Sequence, residues 1–459
     1  MNSRIRALAA RWIASNTTRQ AKRLWREWAR KVSGRRHQLQ VFVAIDDPYS
    51  YLLLQALITL QQQFQYELVL RTVRDKPQAF YPDLVHWRRH SVVDAGYLAK
   101  RYQLQWPVAQ PQSEQLHCTE RLNSFTAQLL LAEQGQQPLA GMLELFHQYW
   151  QGQSITAAIL AAPLQSQLQY NQATLRRLGH YYSGMAYYEG EWYWGLDRLW
   201  HLQQRWLQLG LAVDPKAISW FDHTQLRFGA GSNTNAIHHP GTAHPGERTE
   251  KKGQPLRFYF SARSPYSYLA LEQLVKLSCH YQRPLQIMPV LPMVMRGLAV
   301  PNCKKMYIFL DTQREAQRQR LPYGYVADPL GKAVEHCYAL FAYAQQQHKE
   351  VAYLLAFARA VNSQGHYADT EAGMRTIVEQ AGLSWQQARP LLSDNSWRGW
   401  AQENLTELQR LGQWGVPCVQ YGEMVVWGQD RLWLIEEQLL AESAAFNDVM
   451  VPLSAGEPD

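Results

Sequence analysis

Cysteine is scarce in this chain and poorly spaced for chemistry of its own. The five residues, Cys118, Cys279, Cys303, Cys337 and Cys418, are odd in number and scattered, and none forms a CxxC pair. That pattern argues against a disulfide framework and a dithiol redox centre, and for a reducing compartment. A run of about 18 apolar residues is also missing, so no transmembrane helix is expected. His238, His239 and His244 lie close in sequence but without a Cys or acidic cluster to complete a coordination sphere, and no metal site is expected. Acidic residues are nearly absent from residues 1–37, which carry eleven Lys or Arg and the single acid Glu27. The formal net charge of +8 therefore belongs to that segment, and the remainder of the chain is slightly acidic. With no base-reading motif elsewhere, nucleic acid is not an expected partner.

The chain is organised around the stretch Leu256–Tyr268, LRFYFSARSPYSY. Its apolar, aromatic start reads as a β-strand. Ser264-Pro265 then reads as a helix start, because Ser is a favoured N-cap and Pro at the first helical position gives up an amide that has no partner. The helical spacing of Tyr266–Leu277 completes a strand–turn–helix. Ser264 would sit at the positive end of a helix dipole, a place that stabilises an anion such as a thiolate. As a plain N-cap it would need no ligand.

The same pattern occurs earlier. Leu39–Leu57 matches Leu256–Leu274 at eight of nineteen positions, with PYSYL shared outright. Leu175–Leu202 lines up without a gap on Leu408–Ile435, with eleven of twenty-eight positions identical. The matches come in the same order, which reads as an internal duplication.

Residues 1–37 form a basic amphipathic segment broken near Asn16-Thr17-Thr18. It suits packing on the body through its Trp residues or lying on an anionic membrane surface. Residues 38–212 make the first unit: a strand at Leu39–Ile45, a helix from Pro48, a mostly helical region over 75–175, a hairpin of Met185–Tyr188 and Glu191–Trp194, and a helix from Asp197. Residues 213–255 read as a linker. Residues 256–445 repeat the plan, with a second strand at Leu285–Val290, a helical block over 300–405, a hairpin of Cys418–Tyr421 and Met424–Trp427, and a last helix opened by Gly428-Gln429-Asp430. Residues 446–459 read as a polar tail. The expected class is α/β: two tandem thioredoxin-like domains, each with an inserted helical subdomain, plus the basic N-terminal helix.

At four places the second unit resembles the DsbA-like thioredoxin superfamily, in the branch of 2-hydroxychromene-2-carboxylate isomerases and kappa-class glutathione transferases. These are FYFSARSPYSYLALEQL at 258–274, KKMYIFLD at 304–311, LPYGYVADPLGKAVEHCYAL at 321–340 and GVPCVQYGEMVVWGQDRL at 415–432. The first unit resembles it at its two ends only. The resemblance implies that Ser264 faces the sulfur of glutathione. It implies that the backbone of Val416, before the cis-proline Pro417, pairs with the cysteinyl part. It assigns the γ-glutamyl end to Gln429 and Asp430, and a ligand contact to Lys304, with its neighbour Lys305 not separated from it. The asparagine-containing loop of the family has no clear match before Lys304, which leaves the second substrate open.

The first unit departs from these requirements at two positions. Asp47 stands where Ser264 stands, and a carboxylate would repel a thiolate. Gly184 stands where Pro417 stands. The first unit is therefore expected to be a non-catalytic partner, packed with the second as an intramolecular pseudo-dimer. The leading expectation is a cytoplasmic, glutathione-dependent isomerase or transferase acting on a small electrophilic substrate through residues 256–445. The basic segment would offer peripheral membrane attachment. The alternatives are a thioredoxin-fold scaffold or binding protein and a DsbA-family thiol–disulfide oxidoreductase. The last is disfavoured by the lack of CxxC.

Overall fold

The structure, a computed structural model, describes residues 3–107, 118–136, 138–153, 155–156, 158–222, 226–227 and 253–450. The chain divides into two compact units. One, the N-terminal unit, comprises Asn16–His223 and Ala299–Ile308. The other, the C-terminal unit, comprises Met1–Ser15, Thr224–Leu298 and Phe309–Asp459.

Two helices come first, α1 (Ser3–Ile13) and α2 (Asn16–Val32). The N-terminal unit then builds a sheet around β1 (Gln38–Val43). Leu39, Val41, Phe42 and Val43 are buried, as the near-continuous apolar run of a covered central strand requires. Asp47 caps α3 (Pro48–Gln63), accepting from the Tyr49 amide, with Pro48 in the first turn. The helix leads to β2 (Glu67–Thr72), which pairs parallel with β1 from Gln38↔Glu67 to Val43↔Thr72. Helices α4 (Leu84–Tyr102), α5 (Thr119–Gln134), α6 (Leu139–Trp150) and α7 (Ala162–Arg177) follow. The hairpin β3 (Met185–Tyr188) and β4 (Glu191–Trp194), then α8 (Leu199–Gln208), close the unit. Strand order is β2-β1-β3-β4, with β3 antiparallel to β1.

The C-terminal unit has β5 (Leu256–Phe260), α9 (Pro265–His280) and β6 (Leu285–Pro289). Helices α10 (Asn302–Arg318), α11 (Lys332–Ala339), α12 (Phe341–Gln346), α13 (Glu350–Arg359), α14 (Glu371–Gln380), α15 (Trp385–Ala388) and α16 (Trp397–Arg410) are inserted next. The hairpin β7 (Cys418–Tyr421) and β8 (Met424–Trp427), and the last helix α17 (Leu432–Met450), complete it. Its order, β6-β5-β7-β8, carries the same strand senses.

The likeness reaches individual hydrogen bonds. Tyr49 donates its hydroxyl to buried Asp94 at 2.8 Å, and Tyr266 donates to buried Asp311 at 2.7 Å. Ser50 accepts from the Ala44 amide and Ser267 from the Ser261 amide. The Gly195 amide donates to the Gly184 carbonyl, and the Gly428 amide to the Pro417 carbonyl, both at 2.8 Å.

Several boundaries differ from the sequence reading. Strand β2 has no counterpart there: ELVLRT has only three apolar residues in a row, and as an edge strand it stays half-buried. Helix α1 groups with the C-terminal unit, where the Arg11 guanidinium lies 5.2 Å from the Tyr325 ring centroid and Ala14 packs on Gly324. Residues 299–308 group instead with the N-terminal unit. Helix α17 continues to Met450, past the expected end at 445. Most of the expected linker, including His238, His239 and His244, lies outside the described residues, as does the tail from 451. Among the described residues, no helix is long and apolar enough to cross a membrane, and no group of His, Cys, Asp and Glu could hold a metal ion.

Leu269 on α9 is completely buried in the C-terminal unit. Leu269→Ala should cost about 2–5 kcal/mol of stability through lost transfer energy and the cavity left behind. Urea unfolding of the full chain reads this, and a loss below about 1 kcal/mol would mean that α9 is not a core element.

Candidate functional site

Strands β5 and β6 run parallel while β7 runs against them, so three chain segments meet at one end of the C-terminal sheet. The register sets Phe260 beside Pro289 and Tyr259 opposite Cys418. The turn Ser261–Ser264, the segment from Val290 to Arg296 and the loop Trp414–Pro417 therefore share that end. The end of β8 joins them, since Trp427 pairs with Cys418 and the Gly428 amide bonds Pro417.

Ser264 is the N-cap of α9. Its hydroxyl oxygen accepts from the Ser267 amide at 3.1 Å, while its carbonyl accepts from the Tyr268 amide. The side chain is half-buried, and no acceptor among the described residues takes its hydroxyl hydrogen. A hydroxyl donor beside the positive end of a sixteen-residue helix is a place for an anion.

Val416 and Pro417 are joined by a cis peptide, as the sequence reading expected. Val416 packs against a cluster of Tyr259, Val290, Leu405, Leu408 and Cys418. Its own amide and carbonyl have no hydrogen-bond partner among the described residues. A backbone amide and carbonyl just before β7 are thus left open to pair with another backbone. Cys418 is buried with its sulfur 3.1 Å from the Gly415 carbonyl, and burial pushes its thiol well above the ordinary range. It is a packing residue and not a thiolate.

Gln429 and Asp430 lie at the same sheet end but face inward. Gln429 is 2 % exposed. Its amide nitrogen donates to Asp430 at 2.7 Å and Glu315 at 3.4 Å, and its oxygen accepts from Gln319 at 2.5 Å and Gln273 at 3.3 Å. Two donors and two acceptors exhaust an amide side chain. Gln429 therefore keeps no capacity for the ligand role that the resemblance implied. Asp430 accepts from Gln429 within this network.

Lys304 belongs to the other unit. Its ammonium donates to the Phe80 carbonyl at 3.3 Å and lies 6.0 Å from the Tyr182 ring centroid. Burial lowers its pKa to about 8. Three residues on, Tyr307 packs its ring edge-on to His180. These contacts draw the start of α10 into the N-terminal unit, and the hydrogen bond that Lys304 makes there is to the Phe80 carbonyl, not to a group of the Ser264 turn.

Arg296 was not anticipated. It ends a short 3-10 turn, Met293–Arg296, after β6. Its Nη2 donates to the Trp414 carbonyl at 3.3 Å, two residues before Val416. Its Nε is buried with no acceptor, and no carboxylate pairs with it among the described residues. Burial lowers its pKa, with the Tyr338 hydroxyl acting weakly the other way. That hydroxyl donates to the Val290 carbonyl at 2.6 Å and accepts from the Ala262 amide at 3.3 Å, which ties the end of β6 to the Ser264 turn. A guanidinium with one carbonyl partner has N–H groups left that can take an anion's oxygens. A lone cation in the apolar stretch LPMVMRGLAV, directly after a strand, is the signal that could have found it.

The corresponding place in the N-terminal unit is closed. Asp47 is 4 % exposed. Its carboxyl accepts from the Tyr49 amide at 3.2 Å and the Ser50 hydroxyl at 2.6 Å. It also lies against Gly184, where an added Cβ would be 3.0 Å from its Oδ2. Beside it Asp46 is paired with Lys76, and Arg88 lies 3.8 Å away. The carboxyl thus fills the gap next to the residue that takes the cis-proline's place.

Residues 255–440 match the family of DSBA-like thioredoxin domains, and the C-terminal half has that α/β fold. Within it the chain is similar to the 2-hydroxychromene-2-carboxylate isomerase of Pseudomonas putida, with 26% identity over 191 residues, or 40% of this chain and 92% of that protein. A solved 2-hydroxychromene-2-carboxylate isomerase matches with 24% identity and a TM-score of 0.38, covering 42% of this chain and 98% of its own. The cytosolic disulfide reductase DsbM from Pseudomonas aeruginosa with GSH matches with 13% identity and a TM-score of 0.31, covering 42% and 99%.

Burial raises the Asp47 carboxyl above its ordinary value, against the hydrogen bonds that favour its charge. The folded protein then binds this proton more tightly than the unfolded chain, whose carboxyl titrates near about 3.9. Stability supplied by the neutral form is complete below that pH and is lost as pH rises toward the folded value. Asp47→Asn has no proton to lose. It should gain stability over the parent above about pH 4 to 5 and not below. Urea unfolding of both proteins between about pH 3.5 and 7.5 reads this, and parallel curves would mean that the carboxyl is ionised in the fold.

Proposed function

We propose that the C-terminal unit is a glutathione-dependent isomerase or transferase acting on a small, carboxylate-bearing electrophile. One observation carries the reading: an uncommitted serine hydroxyl at a helix N-terminus shares a sheet end with the open backbone edge of Val416. Both features suit a thiol tripeptide. Ser264 would hold the sulfur, Val416 would pair with the peptide beside Pro417, and Asp430 is the remaining candidate for the γ-glutamyl end. Gln429 drops out of the set because its hydrogen bonds are spent elsewhere, and Lys304 is set aside because the bond it makes, to the Phe80 carbonyl, lies in the N-terminal unit.

A thiol of ordinary pKa, about 8.5, is mostly protonated at neutral pH. A hydroxyl donor and the helix terminus each favour its anion by about 1 kcal/mol or somewhat more. Bound glutathione supplies a thiolate able to add reversibly to an electrophilic double bond or to attack for transfer. The chain's own part is to orient and to hold charge. Arg296 would anchor the electrophile's carboxylate, the group that the name of the Pseudomonas putida relative contains. The buried Cys418 and Cys337 add no redox pair, which disfavours a thiol–disulfide oxidoreductase.

The N-terminal unit we read as a degenerate duplicate. Its strand order and its Tyr–Asp and Ser–amide bonds support common descent, and its filled Asp47 site supports a scaffold role for that half.

Calorimetry with glutathione tests the core of the proposal. Ser264→Ala should weaken binding about 10- to 100-fold, the range for a hydrogen bond to a charged group. Ser264→Thr, which keeps cap and hydroxyl, should retain most of it. Full-affinity binding by the alanine variant, or none by the parent, would end the proposal.

Arg296→Gln should raise KM for 2-hydroxychromene-2-carboxylate at least about tenfold, with little change in kcat or in glutathione affinity. A matching loss of glutathione affinity would assign Arg296 to the tripeptide's own carboxylate instead.

A further inference from the structure

Helix α2 presents a face that the N-terminal unit does not cover. Leu24, Trp25, Trp28 and Val32 are 71 %, 63 %, 62 % and 68 % exposed. Their spacing of one, four and eight residues puts them on one side of the helix. A tryptophan that could pack on the body would ordinarily do so, since burying an aromatic of this size is worth several kcal/mol.

The opposite side is tied down. Arg23 makes a bidentate pair with Glu191, at 2.6 and 2.7 Å, and Arg26 lies against Gly190. Arg30 pairs with Glu27, the only acid of the segment, at 2.7 and 3.0 Å. Glu27 is thus turned in and neutralised, and no acidic side chain faces outward on α2. Lys22 and Lys31 stay exposed at the two edges of the apolar stripe, Lys31 3.7 Å from Glu27, and just past the helix Arg35 and Arg36 stay exposed while lying 3.9 Å from Glu189 and 3.1 Å from Glu67. The helix is therefore held in one rotation, with tryptophan and aliphatic side chains at the centre of its free face and cations at the edges.

We infer that this face of α2 docks on an anionic lipid bilayer, lying in the plane of the interface. The charge decides between occupants. A second copy of the chain would set the same cations against each other. A neutral apolar groove would leave them unused. Anionic headgroups meet the cations while tryptophan rings suit the boundary between headgroup and acyl chain. Nothing on this face supplies a base reader, which sets nucleic acid behind lipid.

The test is co-sedimentation of the full chain with vesicles of phosphatidylcholine alone and with about 30% phosphatidylglycerol. Binding should be strong to the anionic vesicles and weak to neutral ones, should fall steeply between about 0.1 and 0.5 M salt, and should shift tryptophan emission to the blue. The double variant Trp25→Ser, Trp28→Ser lies on an exposed face and should keep its fold by circular dichroism. It should lose at least about tenfold in vesicle affinity. Equal binding to both vesicle types, retention of affinity by the double variant, a dimer abolished by it without lipid, or tighter binding to duplex DNA than to anionic vesicles would each overturn the inference.

Discussion

A helix begins with amides that have no partner inside it, and the residue that precedes them settles what each half of this chain can hold. Both central helices start the same way, with a polar N-cap, a proline and then tyrosine and serine. The backbone frame is the same and the chemistry is not. Serine caps with one oxygen and keeps a hydrogen to donate. Aspartate caps with one oxygen, accepts a serine hydroxyl with the other and fills the space against Gly184. The cap residue, with the glycine or proline next to it, thus separates a site open to an anion from one that a carboxyl group already fills.

Hydrogen-bond capacity explains the other assignments as well. Gln429 lies where a ligand contact was expected, but all of its donors and acceptors are used inside the fold. Its role is to fix the start of α17 to α9 and α10. Arg296 is the reverse case: a half-buried cation with one carbonyl partner and no acid. Desolvating a charge without pairing it is costly, so a position of this kind is easier to understand when an incoming anion completes it. Val416 adds an unpaired amide and carbonyl at the same end of the sheet. Ser264, Arg296 and Val416 thus place open bonding capacity together where the strands meet.

Much of this was legible from residue order. The two hairpins and the capped helices followed from turn and cap chemistry, which is local. The cis Val416–Pro417 bond followed from the resemblance of the loop around it. Strand β2 was not legible, because an edge strand with three consecutive apolar residues gives little periodic signal. The place of Lys304 was not, because its contacts at Phe80 and Tyr182, and that of Tyr307 at His180, are far away in sequence. Nor was the saturation of Gln429, which depends on Gln273 of α9, Glu315 of α10 and Gln319 just past it, all far away in sequence. Patterns show which residue types are present at a site; whether their bonding is already spent is a long-range property.

The matched internal bonds also indicate which parts of each unit serve the fold. Tyr49 with Asp94 and Tyr266 with Asp311 each tie the first turn of the central helix to the inserted helices, and they do so whether the cap is Asp47 or Ser264. The bonds from Gly195 to Gly184 and from Gly428 to Pro417 hold the closing loop in place whether or not a proline is there. Because these ties are common to a closed site and an open one, they belong to the architecture. What differs, the cap side chain and the residue before the hairpin, is what the proposed glutathione site uses. The N-terminal unit therefore keeps the whole frame without the site, and its hairpin residue Glu191 serves instead to anchor a basic helix through Arg23.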